Sequence, residues 1–191
     1  MYRSNYASTL VSQSDWKRHA EALLAAAALV EPRVIEVWRH NSEWLRCREE
    51  RDPNTEYLYS KPTEVFAIHF MLVAFAIENI LKAALVRQNY WQYREEFEKT
   101  GQLPKALRKH ELFKLAKQIG LHLSDEQEDL LRRLARAATW AGRYPLPVEF
   151  QATASGEEFD DGKVWSVSHF FQNDAERVTR LAAEIRTSVG I

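Results

Sequence analysis

The apolar stretch Val65–Ile77 restricts the fold of this chain more than any other segment. It runs for 13 residues without a formally charged side chain, and its apolar residues continue at helical spacing beyond it. A membrane-spanning helix needs about 20 apolar residues, whereas Glu78 and Lys82 follow this stretch at once. The segment therefore predicts the central, buried helix of a soluble protein.

Glu78 and Lys82 lie four residues apart, with the carboxylate on the N-terminal side, which is the favoured order for an ion pair along a helix. A carboxylate in a mostly buried helix costs several kcal/mol unless it finds partners. Two interpretations follow. The pair belongs to a structural polar network that joins helices, or Glu78 is the centre of a binding or catalytic site.

The segment "WAGRYPLP", residues 140–147, is the first candidate to supply partners. Gly142 and Pro145 predict a tight exit from a helix, so Arg143 and Tyr144 belong to no helical face. A guanidinium can grip a carboxylate or a phosphate through two parallel hydrogen bonds. Arg143 is therefore predicted either to hold a ligand or to anchor the helix exit to Glu78.

His110 is the second candidate, because it opens the amphipathic segment "KHELFKLAK". Its imidazole suits acid–base chemistry, and a capping or packing role is the structural alternative. The surrounding residues 103–117 carry five basic side chains against Glu111. This segment is either a binding surface for RNA or an ordinary solvated face.

Metal and cofactor sites are not predicted. The other histidines are scattered, with no H-x-x-x-H spacing, and Cys47 is the one cysteine. His69, within the apolar stretch, is predicted to be a hydrogen-bonded core residue. No glycine-rich phosphate loop or serine nucleophile motif occurs. The net charge of −1 also disfavours a general polyanion binder.

Helical patterns dominate the rest of the chain, and an apolar fraction of 46% is enough for a real core. The expected fold is an all-α bundle of about five to seven helices, forming one domain over residues 1–191. Ile35, Trp38 and Leu45 are expected to face the core. The expected helices are one at about 15–30, a second from Pro32 to about Arg51, a third from about Ser60 past Tyr90, a short one ending at Gly120, one opened by the Ser124–Gln127 capping box, and a last one at about 168–187. A small β-hairpin is expected at about 147–167, with strands at 148–154 and 163–168 that alternate apolar and polar residues around the polar segment 155–162.

The order of three motifs resembles the HEPN superfamily of helical domains. The motifs are "AIENILKAAL", "KHELFKLAKQIG" and "LSDEQEDLLRRLARAATWAGRYP", and the resembling region runs from about 64 to 147. Such domains are often dimeric, and many are ribonucleases with an Arg–His signature separated by four to six residues. This chain departs from that signature, because Arg136 is followed by Arg143, and the pair Arg33 and His40 precedes the resembling region. The resemblance implies a polar cluster that contains Glu78, Lys82, His110, Arg143 and Tyr144.

The resemblance further implies a cytoplasmic domain of a prokaryotic defence, toxin–antitoxin or stress system. Its activity would be metal-independent RNA cleavage without a cofactor, with Arg143 holding the scissile phosphate and His110 acting as acid or base. RNA, an antitoxin or other protein, and a second copy of the chain are the expected partners, and no membrane is expected. Two alternatives stay open: a non-catalytic protein-binding or dimerisation module, and a sensor of a small anionic ligand.

Overall fold

The helices of this chain form an all-α bundle, as predicted. The computed structural model describes residues 12–49, 65–138, 157–158, 164–165 and 173–191. Within these ranges the α-helices are α1 (Gln13–Glu49), α2 (Phe66–Gln88), α3 (Tyr90–Thr100), α4 (Leu112–Gln118), α5 (Asp125–Arg136) and α6 (Asp174–Ser188), and a 3₁₀ turn (Lys105–Arg108) lies between α3 and α4.

The predicted hairpin region contains a short antiparallel pair, β1 (Glu157–Glu158) with β2 (Val164–Trp165). β2 falls within the predicted second strand. The prediction of a first strand at residues 148–154 lies outside the described residues, and β1 occupies what was predicted to be the connecting loop. The pair is only two residues long on each side, so the helices carry the fold.

The predicted central helix is α2, which packs against α1, α4, α5 and α6. Its residues from Ile80 to Val86 are buried without interruption, as expected for a helix with neighbours on every side. By length and composition α2 passes the test for a membrane span. The core helix of a soluble protein passes the same test, and 72% of the most apolar window of α2 is buried inside the bundle.

α1 is one continuous helix, so the prediction of a break before Pro32 is wrong. Proline has no N–H, and the carbonyl of Ala28 therefore lacks its helical donor. Both residues are exposed, so water can reach this carbonyl. Ala20, Ala27 and Val34 are buried at intervals of seven residues, and this continuous packing face keeps the helix intact across the proline.

The buried face of the second half of α1 also differs from the prediction. Ile35 was predicted to face the core, but it is 46% exposed, and Val34 and Val37 are buried instead. Trp38 is half-buried and contacts the ring of Phe66, with the ring centroids 5.0 Å apart. The side chain of Leu45 lies outside the described residues.

Two predicted helix boundaries are confirmed by their hydrogen bonds. The Ser124 hydroxyl accepts from the Gln127 backbone N–H, and the Gln127 side chain accepts from the Ser124 N–H, which completes the capping box of α5. Gly120, just after α4, has φ +75°. The predicted third helix is interrupted at Asn89, whose side-chain and backbone N–H groups both donate to the Leu85 carbonyl.

Candidate functional site

The candidate site is built around Glu78 in the middle of α2. Its residue surface is only 5% exposed. Lys82, one turn further along the helix and 2% exposed, donates from Nζ to Glu78 Oε1 over 2.6 Å. The spacing seen in the sequence therefore produces a buried ion pair, with both charges largely withdrawn from water.

His110 approaches this pair from another part of the chain. Its Nδ1 lies 3.0 Å from Oε1 and 3.1 Å from Oε2 of Glu78, across a separation of 32 residues. Leu107 and Leu112, on either side of His110 in sequence, are buried and anchor the connecting segment against the bundle. The His110 side chain is itself 69% exposed. The imidazole thus covers the buried carboxylate while most of its own surface meets solvent.

Trp16 is a further component of this site, and no pattern in the sequence indicated it. It lies in the first turn of α1, partly buried, and packs against the core cluster. The centroid of its ring lies 5.4 Å from Lys82 Nζ, which is within the range of a cation–π contact. The buried ammonium group therefore has a carboxylate and an aromatic ring as neighbours. We call Glu78, Lys82, His110 and Trp16 the Glu78 cluster.

The arrangement can support acid–base chemistry. An ionised carboxylate only accepts hydrogen bonds, so a neutral His110 must carry its proton on Nδ1 to bond Glu78. Its Nε2 is then an unprotonated acceptor. A carboxylate that holds an imidazole in one orientation and tautomer in this way is the arrangement found behind general bases in hydrolytic enzymes.

The structure brings three of the five predicted site residues together. Glu78, Lys82 and His110 are in direct contact, as the search for partners of Glu78 predicted. Arg143 and Tyr144 lie outside the described residues, so the predicted contact between Arg143 and Glu78 stays a prediction.

His69 is buried as predicted, with 0% exposure. Its Nδ1 lies 3.1 Å from the Ala27 carbonyl oxygen, so the ring donates from Nδ1 and connects α2 to α1. Its Nε2 has no hydrogen-bond partner within the described part of the chain. Among the described residues, His69 is therefore hydrogen-bonded through one nitrogen rather than both.

The basic residues of segment 103–117 surround His110 in sequence and are exposed. Lys114 pairs at 2.8 Å with Glu111, the residue just before α4, and Lys117 Nζ lies 4.2 Å from the centroid of the Phe113 ring. The segment thus presents positive charge beside an exposed imidazole. Both predicted interpretations, an RNA-binding surface and a solvated face, fit this arrangement.

The sequence did not predict a second buried polar cluster, which joins α5 to α6. Arg133 is 2% exposed and donates to Asp129 over 2.9 Å and to the fully buried Asp174 at the start of α6. Asp174 also accepts from Arg177 over 2.7 Å, and Arg177 reaches Glu126 over 2.9 Å. The acid-then-base order along α5 matches the helix dipole. It also provides carboxylates for buried cations.

No metal ligand set can be assigned to the Glu78 cluster. Across the ranges that the structure describes, no group of three or more His, Cys, Asp or Glu side chains is placed to hold an ion. Glu78 and His110 are the two side chains of these types in the cluster, and they bond each other.

Comparison of the chain with family models, with curated proteins and with solved structures returned no match. The resemblance to HEPN domains therefore stays a prediction.

Proposed function

We propose that this chain is a HEPN-like domain of a prokaryotic defence, toxin–antitoxin or stress system, and that it cleaves RNA without a metal ion. The observation that carries the proposal is the contact of His110 Nδ1 with the buried carboxylate of Glu78, at 3.0 and 3.1 Å, while the imidazole remains 69% exposed. A histidine that a buried carboxylate orients through one nitrogen, and whose ring is otherwise exposed, can exchange a proton with a bound substrate.

The proposed reaction uses the nucleophile that RNA carries itself. His110 Nε2 accepts the proton of a ribose 2′-hydroxyl, and the 2′-oxygen attacks the adjacent phosphorus. The bond from phosphorus to the 5′-oxygen breaks, and the imidazolium returns its proton to that leaving oxygen. The products are a 2′,3′-cyclic phosphate and a free 5′-hydroxyl, with no metal or external oxidant required.

Substrate binding in this proposal relies on the positive charge near His110. Lys105, Arg108 and Lys109 precede it directly and are exposed, so they attract the phosphate backbone without selecting a sequence. Arg143 is proposed to hold the scissile phosphate. The overall charge of −1 implies that this attraction is local, and that binding weakens steeply as salt is added.

The test is cleavage of single-stranded RNA by the purified chain in EDTA. Removing a general acid–base group lowers the rate by about 10² to 10⁴-fold, and we expect this loss for His110→Ala and for His110→Gln. Gln retains a donor for Glu78 but cannot titrate. His122→Ala is the matched control, because His122 is also exposed and has no proposed role. Intact RNA with the wild type, or equal rates for His110→Ala and His122→Ala, would refute the proposal.

Product analysis sharpens this test against contaminating nucleases. The proposed reaction leaves a 2′,3′-cyclic phosphate, and a substrate with a single 2′-deoxy position at the cleavage site must resist cutting there. Arg143→Ala should lower the rate as well. Cleavage of the deoxy-substituted site at the normal rate would show that the 2′-hydroxyl is not the nucleophile.

A non-catalytic dimerisation module is the second candidate, and exposed apolar side chains favour it. Leu29 on α1 is 84% exposed and Trp91 on α3 is 75% exposed, with Ile35 and Ile68 at 46% and 44%. Light scattering of the wild type beside Leu29→Glu and Trp91→Glu tests the dimer, and the RNA cleavage assay then distinguishes a ribonuclease from a non-catalytic module. A dimer that either charge disrupts supports the module, whereas a monomer at all concentrations opposes it.

A further inference from the structure

We propose that Lys82 is a positioning residue that sets the tautomer of His110 through Glu78, and that Trp16 shields it for this purpose. The inference rests on the proposed role of His110 as a base. It goes further by assigning separate tasks to the buried members of the Glu78 cluster. It also places α1 among the elements that complete the site, because Trp16 belongs to α1.

The first step is the charge of Glu78. The side chains of Glu78 and Lys82 are only 7% and 3% exposed. A carboxylate in such surroundings keeps its charge when a cation compensates it and otherwise tends to take up a proton. The Lys82 ammonium, 2.6 Å from Oε1, supplies that compensation. His110 is too exposed to do so dependably, and it is cationic only when protonated.

The second step is hydrogen-bond direction. As long as Glu78 is ionised, both of its oxygens only accept, and His110 must present Nδ1–H to them. If Glu78 becomes protonated, its O–H donates to Nδ1 instead. The imidazole then carries its own proton on Nε2, the nitrogen that the proposed reaction needs as an acceptor. The state of Lys82 thus decides which His110 nitrogen is basic, although Lys82 does not contact the substrate.

The third step is shielding by Trp16. Its ring lies 5.4 Å from Lys82 Nζ and covers the ammonium with an aromatic face, and such a contact is stronger when water is excluded. Replacing the ring by Leu removes this face and admits water to the ion pair. The ion pair between Lys82 and Glu78 should then weaken. The resulting change in the His110 tautomer should be smaller than when the Lys82 charge is removed.

The experiment reads the tautomer directly. Long-range ¹H–¹⁵N spectra of the full chain, labelled in histidine, distinguish Nδ1–H from Nε2–H. They are recorded at pH ~7.5, above the ordinary pKa of imidazole but low enough for a buried, uncompensated carboxylate to keep a proton. We expect Nδ1–H for His110 in the wild type and in Lys82→Arg. We expect a shift to Nε2–H in Lys82→Met and Glu78→Gln, because the Gln amide can donate to Nδ1, and a partial shift in Trp16→Leu.

His69 serves as an internal control for folding in the same spectra. Its Nδ1 donates to the Ala27 carbonyl on α1, so its tautomer must stay Nδ1–H in every variant that keeps the bundle intact. If Lys82→Met loses this signal through unfolding, Trp16→Leu and Lys82→Arg carry the test. An unchanged His110 tautomer in the folded Lys82→Met variant overturns the proposal. So does an unchanged tautomer in Trp16→Leu when Lys82→Met fails to fold.

These outcomes are independent of the RNA assay. A tautomer shift without RNA cleavage by the wild type supports the positioning role of Lys82 and refutes the proposed function. RNA cleavage by the wild type, together with an unshifted tautomer in folded Lys82→Met, supports the proposed function and refutes the positioning role of Lys82. A parallel loss of Nδ1–H and of cleavage in Lys82→Met, both restored in Lys82→Arg, supports both.

Discussion

Among the described residues, Asp174 is the carboxylate whose removal we expect to lower the free energy of unfolding most. It is fully buried at the first turn of α6 and accepts hydrogen bonds from Arg133 on α5 and from Arg177 on α6. Replacing it by Ala withdraws a carboxylate from Arg133, whose side chain is 2% exposed. Arg177 is affected less, because its side chain is 25% exposed and Glu126 still faces it.

The size of the effect follows from what remains around Arg133. Breaking a buried ion pair by removing one partner typically costs about 3–5 kcal/mol. Arg133 keeps Asp129, which is 2.9 Å away and 27% exposed, so the lower end of that range applies. We therefore expect the free energy of unfolding to fall by about 3 kcal/mol in Asp174→Ala. For a chain of this size that corresponds to a loss of about 6–12 °C in melting temperature.

Urea denaturation followed by circular dichroism measures this change. A double variant, Arg133→Met with Asp174→Leu, should recover most of the loss, because apolar replacement of a whole buried pair is often neutral or better. Glu95→Gln is the control, since it removes a carboxylate from an ion pair that is exposed on both sides and should change stability very little. A loss below about 1 kcal/mol in Asp174→Ala, or a double variant as unstable as the single one, would refute the reasoning.

Three further predictions concern helix ends and a buried phenol. Ser124→Ala removes the cap of α5 and should lower the free energy of unfolding by about 1 kcal/mol; an unchanged urea midpoint would contradict this. The added methyl group of Gly120→Ala meets no atom within 4 Å, but the residue must adopt φ +75°, so we expect the free energy of unfolding to fall by about 1 kcal/mol. The fall should be smaller for Gly120→Asn, and equal falls in the two variants would count against backbone strain as the cause. Burial, and secondarily Glu96, raises the pKa of Tyr93. Stability is therefore complete below the unfolded-state pKa and declines as pH rises above about 10, and Tyr93→Phe should show a shallower alkaline decline in urea midpoints.

Local signals in the sequence predicted the fold well wherever one short motif decides the backbone. The Ser124–Gln127 box and Gly120 gave correct helix ends, because capping and left-handed backbone depend on adjacent residues. Pro32 misled the prediction for the opposite reason. Its local cost to a helix is about 3 kcal/mol, but the packing of α1 against α2 on both sides of the proline outweighs that cost. Tertiary contacts of this kind are not visible in a short window.

The candidate site shows the same division between local and distant information. The pair of Glu78 and Lys82 could be predicted from their spacing alone. The contact with His110 was predicted because a buried carboxylate needs partners, and His110 was chosen because it opens an amphipathic segment. Trp16 had no signal, since its contact with Lys82 depends on how α1 lies across α2. Sequence reasoning therefore identified the groups that need partners more reliably than the partners themselves.

Three buried cations of this bundle follow one construction rule. Each pairs with an acid four residues earlier on its own helix, which lets the two charges leave water together. The sequence displays this spacing plainly but does not distinguish a buried pair from an exposed one, because exposed helices use the same order to match their dipole. Among the residues that the structure describes, the pairs with this spacing and a buried cation are Glu78–Lys82, Glu128–Arg132 and Asp129–Arg133.

Each of these pairs also contacts a group from elsewhere in the chain, and His110 distinguishes the candidate site, which contacts Trp16 as well, from the structural pairs. Arg133 receives the fully buried Asp174, and Arg132 lies 4.0 Å from the centroid of the partly buried Phe113 ring. Both additions enclose the pair further. The pair in α2 instead receives His110, a side chain that is 69% exposed and able to exchange protons. A buried charge pair that ends in an exposed imidazole connects the interior to solvent, which a purely structural role does not require.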